Sequence, residues 1–283
     1  MKLRKASAAA AAAVALALTV TACGSGKKDD AAGSGSAGGG DKITIGIKID
    51  QPGIGLKTPD GKYTGFDVDV AKYVAKELGY EEGDIVFKET KSADRETAIE
   101  RGDVKFIAAS YSINDKRLAK VDFAGPYLLA HQDLLVRADD NSITKAEDLN
   151  KKKLCSVAGS TSAQNVHDTL APKAQLLEFG GYSECLTGLE NKTVDALTTD
   201  DSILAGYAAQ EAHKGKFKLA GLKLSNENYG IGLKKGDAEL KDKINKALEK
   251  MVSDGSWQKA VDANFGPAGY KSEPAPKIGN IVK

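Results

Sequence analysis

The chain has 283 residues, room for about two domains. Its 40 Lys and Arg against 39 Asp and Glu give no overall field that would draw nucleic acid. With 41% hydrophobic and 6% aromatic residues and three cysteines, it is neither a disordered chain, a fibrous repeat, a polytopic membrane protein nor a disulfide-dense miniprotein.

Lys2, Arg4 and Lys5 precede an apolar run from Ala8 to Val20. The run is too short for a ~30 Å hydrocarbon core and suits a signal peptide, residues 1–22. Val20-Thr21-Ala22-Cys23 has the form of a bacterial lipobox, with Cys23 lipidated as the new N-terminus. The other reading is an ordinary secretory cleavage site beside a chance Cys. Of the 17 residues 24–40, 13 are Gly, Ser or Ala, so residues 23–41 read as a flexible tether with a reach on the order of 20 Å. Losing residues 1–22 removes three basic and no acidic residues, for a net charge of −2. The body is expected outside the cytoplasm, held at the outer face of the membrane. There Cys155 and Cys185 form a disulfide or remain two buried thiols.

From Lys42 the pattern alternates. Lys42–Ile47 is a β-branched strand, and Pro59-Asp60-Gly61 is a turn. Phe66, Val70, Val74 and Leu78 mark an amphipathic helix stopped by Gly79. Strands at 85–87 and 106–109 flank a helix at 95–101, which predicts a parallel βαβ sheet. The order restarts with a strand at 154–157, a helix at 162–170 and a strand at 175–179. A helix at 185–190 and a strand at 194–198 follow. RGDVKFIAAS at 101–110 and NKTVDALTTD at 191–200 echo one another. A further strand at 229–233 and helices carrying Leu240, Ile244, Leu248 and Trp257 close the chain. The expected architecture is α/β with two lobes. Lobe 1 comprises 42–126 and 226–283, lobe 2 comprises 132–221, and crossings at 127–131 and 222–225 form the hinge. Ligands of open α/β sheets lie beyond the carboxyl ends of strands, here at Ser110 and Asp200.

In Ser110-Tyr111-Ser112-Ile113-Asn114-Asp115-Lys116-Arg117, hydroxyls leave a buried strand and reach an Arg suited to a carboxylate. The alternative is a solvated Arg. Gly159-Ser160-Thr161-Ser162 joins a strand to a helix, as an anion site or a plain N-cap. Asp200 either caps the next helix or holds an ammonium group while Asp201 caps. Lys48 ends the first strand. Arg95 opens a helix, where a cation is unfavourable unless an anion lies near; a surface position is the other reading. Asp67 and Asp69 read as first-turn acids rather than a metal motif. His131, His167 and His213 lack ligand spacing, and no GxSxG, HExxH or CxxC stands out. No metal, no cofactor and no catalytic activity are therefore expected.

YTGFDVDVAKYVAKELG (63–79), SYSINDKRLAKVDFAGPY (110–127), GSTS (159–162), VDALTTDDSILAGYA (194–208) and YGIGLKKGDAELKDKINKAL (229–248) resemble the family 3 extracellular solute-binding proteins, amino-acid receptors of ABC importers. DQPGIG (50–55), KLCSV (153–157) and the lipobox narrow the resemblance to the glutamate-binding lipoproteins of actinobacteria. The resemblance implies that Arg117, assisted by Ser112 and Thr161, holds an α-carboxylate and that Asp200 and Ser110 hold the α-ammonium; Ser160 of the same turn is a further candidate ligand residue. It implies that Lys48 and Arg95 reach a side-chain carboxylate and that Tyr182 lines the pocket. Glutamate is the implied ligand, with aspartate or glutamine as alternatives, and membrane permease subunits are the implied partners of a monomer. Gly53-Ile54-Gly55 departs from the family's Pro-aromatic pair, which removes a ring from over the ligand. A sensor reporting to a membrane kinase and a cyclohexadienyl-dehydratase-like enzyme are the competing readings.

Overall fold

The computed structural model describes residues 42–283; the expected signal peptide, the expected lipidation site Cys23 and the expected tether lie outside these residues. After β1 (Ile43–Ile47), a small antiparallel meander of β2 (Asp50–Gln51), β3 (Gly55–Lys57) and β4 (Tyr63–Thr64) turns at Pro59-Asp60-Gly61 and leads into α1 (Phe66–Glu77). Phe66, Val70, Ala71, Val74 and Ala75 of α1 face the core. Gly79 ends the helix with φ +94°, while its own N–H and that of Tyr80 bond back to Lys76 and Ala75. That closure satisfies the last carbonyls and needs a residue tolerant of positive φ.

β5 (Ile85–Glu89), α2 (Arg95–Glu100), β6 (Phe106–Ile107) and the one-turn α3 (Asp115–Leu118) complete the first unit. β1 pairs in parallel with both β5 and β6, as the βαβ order predicts. β6 is shorter than the apolar run 106–109. The chain leaves the sheet after Ile107, where Arg95 donates to the Ala109 carbonyl and Asp67 accepts from the Ser110 N–H.

β7 (Asp122–Arg137) then runs for 16 residues into the second unit. There β8 (Lys153–Val157), α4 (Thr161–Asn165), β9 (Gln175–Phe179), α5 (Tyr182–Glu190), β10 (Ala196–Asp200), α6 (Asp201–Ala208) and β11 (Phe217–Leu219) follow. The predicted helix 162–170 divides: α4 gives way to a wider π turn over Val166–Leu170, where the Thr169 hydroxyl donates to the Asn165 carbonyl. β12 (Ser225–Leu233) returns the chain beside β7, and α7 (Ala238–Ser253) and α8 (Ser256–Phe265) pack on α1.

Nine strands form one curled sheet, β5-β1-β6-β12-β7-β10-β8-β9, with β11 added on β7. β7 belongs to both halves. Its first part pairs with β12, and its last residues pair with β10 and β11. Two α/β lobes thus share a pair of hydrogen-bonded strands. Cys155 on β8 and Cys185 on α5 are disulfide-bonded within the second lobe.

Candidate functional site

The carboxyl ends of β1 and β6 face those of β8 and β10 across the seam between the lobes. Among the described residues, the buried Lys and Arg side chains are Lys48, Arg95 and Arg117, and all three belong to the first lobe's side of this seam. Burying three like charges together is unfavourable without anions close by.

Arg117 sits on α3, whose N-cap Asn114 accepts the Arg117 N–H at 2.9 Å. Its guanidinium donates to the Ser112 carbonyl at 2.7 Å and, across the seam, to the Gly159 carbonyl at 3.1 Å, and stands 3.5 Å from Glu96. Burial, then the charge of Arg95, lowers its pKa to about 10. Arg95 is 1% exposed, so the surface reading of this residue is corrected. Its Nη1 donates to the Ala109 carbonyl at 2.9 Å and the Ser110 carbonyl at 3.3 Å, while its Nε has no hydrogen-bond partner in the protein. Both guanidinium groups stack on Tyr111, Arg95 at 4.1 Å and Arg117 at 5.0 Å from the ring centre. Lys48 directly follows β1 and donates to the Ser92 hydroxyl at 2.9 Å. Burial, then Arg95, lowers its pKa to about 7.

Ser110 has φ +43°, a strained value for a residue with a Cβ. Its N–H donates to Asp67 at 2.6 Å and its hydroxyl to the Gln51 side-chain oxygen at 3.0 Å. Asp67 is therefore more than a first-turn acid. Its carboxylate also accepts the Tyr127 hydroxyl at 2.7 Å, and burial raises its pKa to about 6. Ser112 is buried and bridges to Tyr229.

On the second lobe, Ser160 caps α4 by accepting the Ala163 N–H at 3.0 Å, so the N-cap reading of this serine holds. Thr161 donates its hydroxyl at 2.8 Å to Glu227 of β12 rather than leaving it free. Asp200 ends β10 at the N-cap position of α6 but makes no side-chain cap. It accepts the Tyr229 hydroxyl at 2.6 Å and lies 3.5 Å from the Ser162 hydroxyl. Burial, then repulsion from Glu227, pushes its carboxyl well above the usual range. Asp201 accepts the N–H of Ser202 and of His131 and the Tyr270 hydroxyl, tying α6 to β7 and the C-terminal segment. Tyr182 is buried at the start of α5, its N–H donating to Asp50 at 3.0 Å.

The lobes touch around this centre. A Cβ on Gly159 would lie 2.7 Å from the Cα of Ala93, and one on Gly206 would lie 2.0 Å from the Pro52 carbonyl oxygen. Lys116 reaches Gln164 across the seam at 2.8 Å. A cavity of about 580 Å3 opens at one end, lined by Arg117, Ser160, Thr161 and Lys120 but not by Asp200, Arg95 or Lys48. A second of about 240 Å3 lies at the other end beside Lys48, Asp50 and Gly181. Among the described residues no group of three or more His, Cys, Asp or Glu stands close enough to hold a metal ion.

This is two-lobed architecture with charged groups buried at the seam, and its counterparts are known. A profile of bacterial extracellular solute-binding proteins, family 3, matches residues 43–267. The chain belongs to this family. Among family members it is 49% identical over 234 residues to the glutamate-binding protein GluB of Corynebacterium efficiens, covering 79% of each chain. It is 41% identical over 219 residues to the ABC transporter glutamine-binding protein GlnH of Bacillus subtilis, covering 77% of this chain and 78% of the relative. An ancestral arginine-binding protein solved with glutamine superposes with a TM-score of 0.74 at 35% identity, over 81% of this chain and 100% of the other.

Gln51 and Tyr229 lie within the family-like segments 50–55 and 229–248, but the sequence singles out neither of them, nor Glu227, as a candidate at the seam. Each reaches the seam only because a strand crosses between lobes or a meander folds back. Gly53-Ile54-Gly55 supplies no ring, and Ile54 is fully buried in the core with Phe66.

Proposed function

We propose that this protein captures an acidic amino acid, L-glutamate foremost, between its lobes and delivers it to the membrane subunits of an ABC importer. The observation that carries this reading is the pairing of three buried cations on one lobe with the buried Asp200 of the other. A zwitterion with a second carboxylate complements that arrangement, and the glutamate-binding relatives support the choice of ligand. In this reading Arg117, with Ser112, Ser160 and Thr161, grips the α-carboxylate. Thr161 must turn its hydroxyl from Glu227 to take part. Asp200 and the Ser110 backbone and hydroxyl hold the ammonium group, Lys48 and Arg95 meet the side-chain carboxylate, and Tyr182 lines the wall. Lobe 1 is 42–126 with 226–283, lobe 2 is 132–221, and the ribbon at 127–131 and 222–225 is the hinge. Binding without turnover is the role proposed, consistent with the binding-protein names of the relatives.

Calorimetric titration of the purified protein with each of the twenty amino acids tests the reading. Tightest binding of glutamate is expected; a neutral or basic amino acid bound far more tightly would overturn it. Among the described residues no helix is long and apolar enough to cross a membrane. Anchoring is proposed to come from lipid on Cys23, in a monomer facing outward. Full-length protein should carry a lipid mass at Cys23, and Cys23→Ala should appear in the soluble fraction. A Cys23→Ala chain that stays membrane-bound at the original level would refute the anchor.

A further inference from the structure

We propose that Gln51 is a further ligand-binding residue of the cleft, its side-chain amide donating a hydrogen bond to the side-chain oxygen that glutamate and glutamine have in common. This rests on the amino-acid-binding reading above. Gln51 is fully buried. Its Oε1 accepts the Ser110 hydroxyl at 3.0 Å, while its Nε2 is buried with no hydrogen-bond partner in the protein. A buried amide donor of this kind normally finds an acceptor.

Its surroundings locate that acceptor. Ser110 is held from three sides: Asp67 takes its N–H, Arg95 donates to its carbonyl, and its hydroxyl fixes the Gln51 oxygen. The amide is thereby oriented, with its nitrogen as the free end. Gln51 follows Lys48 by three residues and is linked through Ser110 to Arg95, so it belongs to the wall that carries these two cations. Neighbouring Asp50 accepts the Tyr182 N–H at 3.0 Å, and its carbonyl accepts the Tyr207 hydroxyl. The segment is thus clamped between the lobes, and Gln51 is a group that closure shields from water. Where Gly53-Ile54-Gly55 presents no ring, this chain presents a polar donor. An N–H donor can donate to a carboxylate oxygen and to an amide oxygen alike, whereas Lys48 and Arg95 favour the charged one.

Titrating wild type, Gln51→Met and Gln51→Glu with glutamate and with glutamine tests the assignment. Gln51→Met keeps the length and volume but loses both polar ends. It should weaken both ligands by about 10- to 100-fold, the effect of losing one hydrogen bond to a charged or polar partner. Gln51→Glu keeps an acceptor for the Ser110 hydroxyl but has no donor, so it should not restore binding of either ligand. Binding restored by Gln51→Glu would show that the residue acts only through Ser110 and would overturn the proposal. Equal affinity in wild type and Gln51→Met would overturn it too, while leaving the broader reading intact. Failure of wild type to bind either ligand would overturn both. Nitrogen-15 spectra give a direct readout: the Gln51 side-chain NH2 pair, identified by its loss in Gln51→Met, should move on saturation with glutamate. No movement would count against the proposal even if the variants proved unstable.

Discussion

At the scale of single residues, the proposed assignment separates recognition of the amino-acid backbone from recognition of the side chain. In it, Arg117 and Asp200 address groups that every α-amino acid has. Lys48 and Arg95 are assigned to a carboxylate that glutamine lacks. A buried carboxylate deprived of its cation is costly, so Arg95→Ala should weaken glutamate by about 2–5 kcal/mol and glutamine much less. Arg117→Ala should abolish tight binding of both and leave their ratio nearly unchanged. Competition titrations of the two variants check this; equal loss of both ligands in Arg95→Ala would remove the basis for an acidic ligand. Lys48 adds a pH signature. With its folded pKa near 7 against an ordinary 10.5, unfolding takes up a proton between these values, so its contribution to stability rises with pH across that window and is lost as pH falls through it. A ligand carboxylate restores the charged form, so binding at pH 8 should take up as much as about one proton. Calorimetry in two buffers of different ionisation enthalpy measures that uptake, and Lys48→Met should remove it. The cations were legible in sequence because each stands at a strand or helix end. Gln51 and Glu227 were not, since nothing local distinguishes a buried Gln or Glu from an exposed one.

At the scale of elements, periodicity located the strands and helices, while side chains outside them decided where they stop. β6 ends two residues early because Arg95 and Asp67 claim the backbone at 109–110. β12 begins at Ser225 because residues 225–229 pair with β7, a long-range contact invisible in the local pattern. The cysteine pair joins α5 to β8, and α5 is the helix whose first residue is Tyr182. The bridged residues are 30 apart, for which loop closure gives stabilisation of about 3–4 kcal/mol at most. Reduction, or Cys155→Ser with Cys185→Ser, should lower the denaturation midpoint by a corresponding amount. Hydrogen exchange should rise mainly in β8, β9 and α5, with β1, β5 and α1 little changed. Uniform loosening of both lobes would show instead that the molecule unfolds as one cooperative unit.

At the scale of the whole molecule, the lobes are coupled through a ribbon of two strands and through contacts that do not involve the proposed charged ligand groups. Asp50 meets Tyr182 and Tyr207, Lys116 meets Gln164, and Gly206 lies against Pro52. The proposed α-carboxylate and ammonium holders are divided between lobes, so a zwitterion is fully satisfied only when the lobes meet and should shift the population toward closure. Scattering should therefore show compaction with saturating glutamate, and at about 100 times Kd the ligand should add about 2.7 kcal/mol to stability. Gly206→Ala separates closure from ligand chemistry. A methyl group there cannot coexist with the Pro52 carbonyl in the present contact, so the closed state must yield while every proposed ligand group stays intact. A penalty on the closed state alone lowers affinity for glutamate and glutamine by the same factor and leaves their ratio unchanged. It should also reduce the compaction seen at a given sub-saturating glutamate concentration. If Gly206→Ala binds both ligands as tightly as wild type and compacts as readily, contact at this point plays no part in closing the cleft.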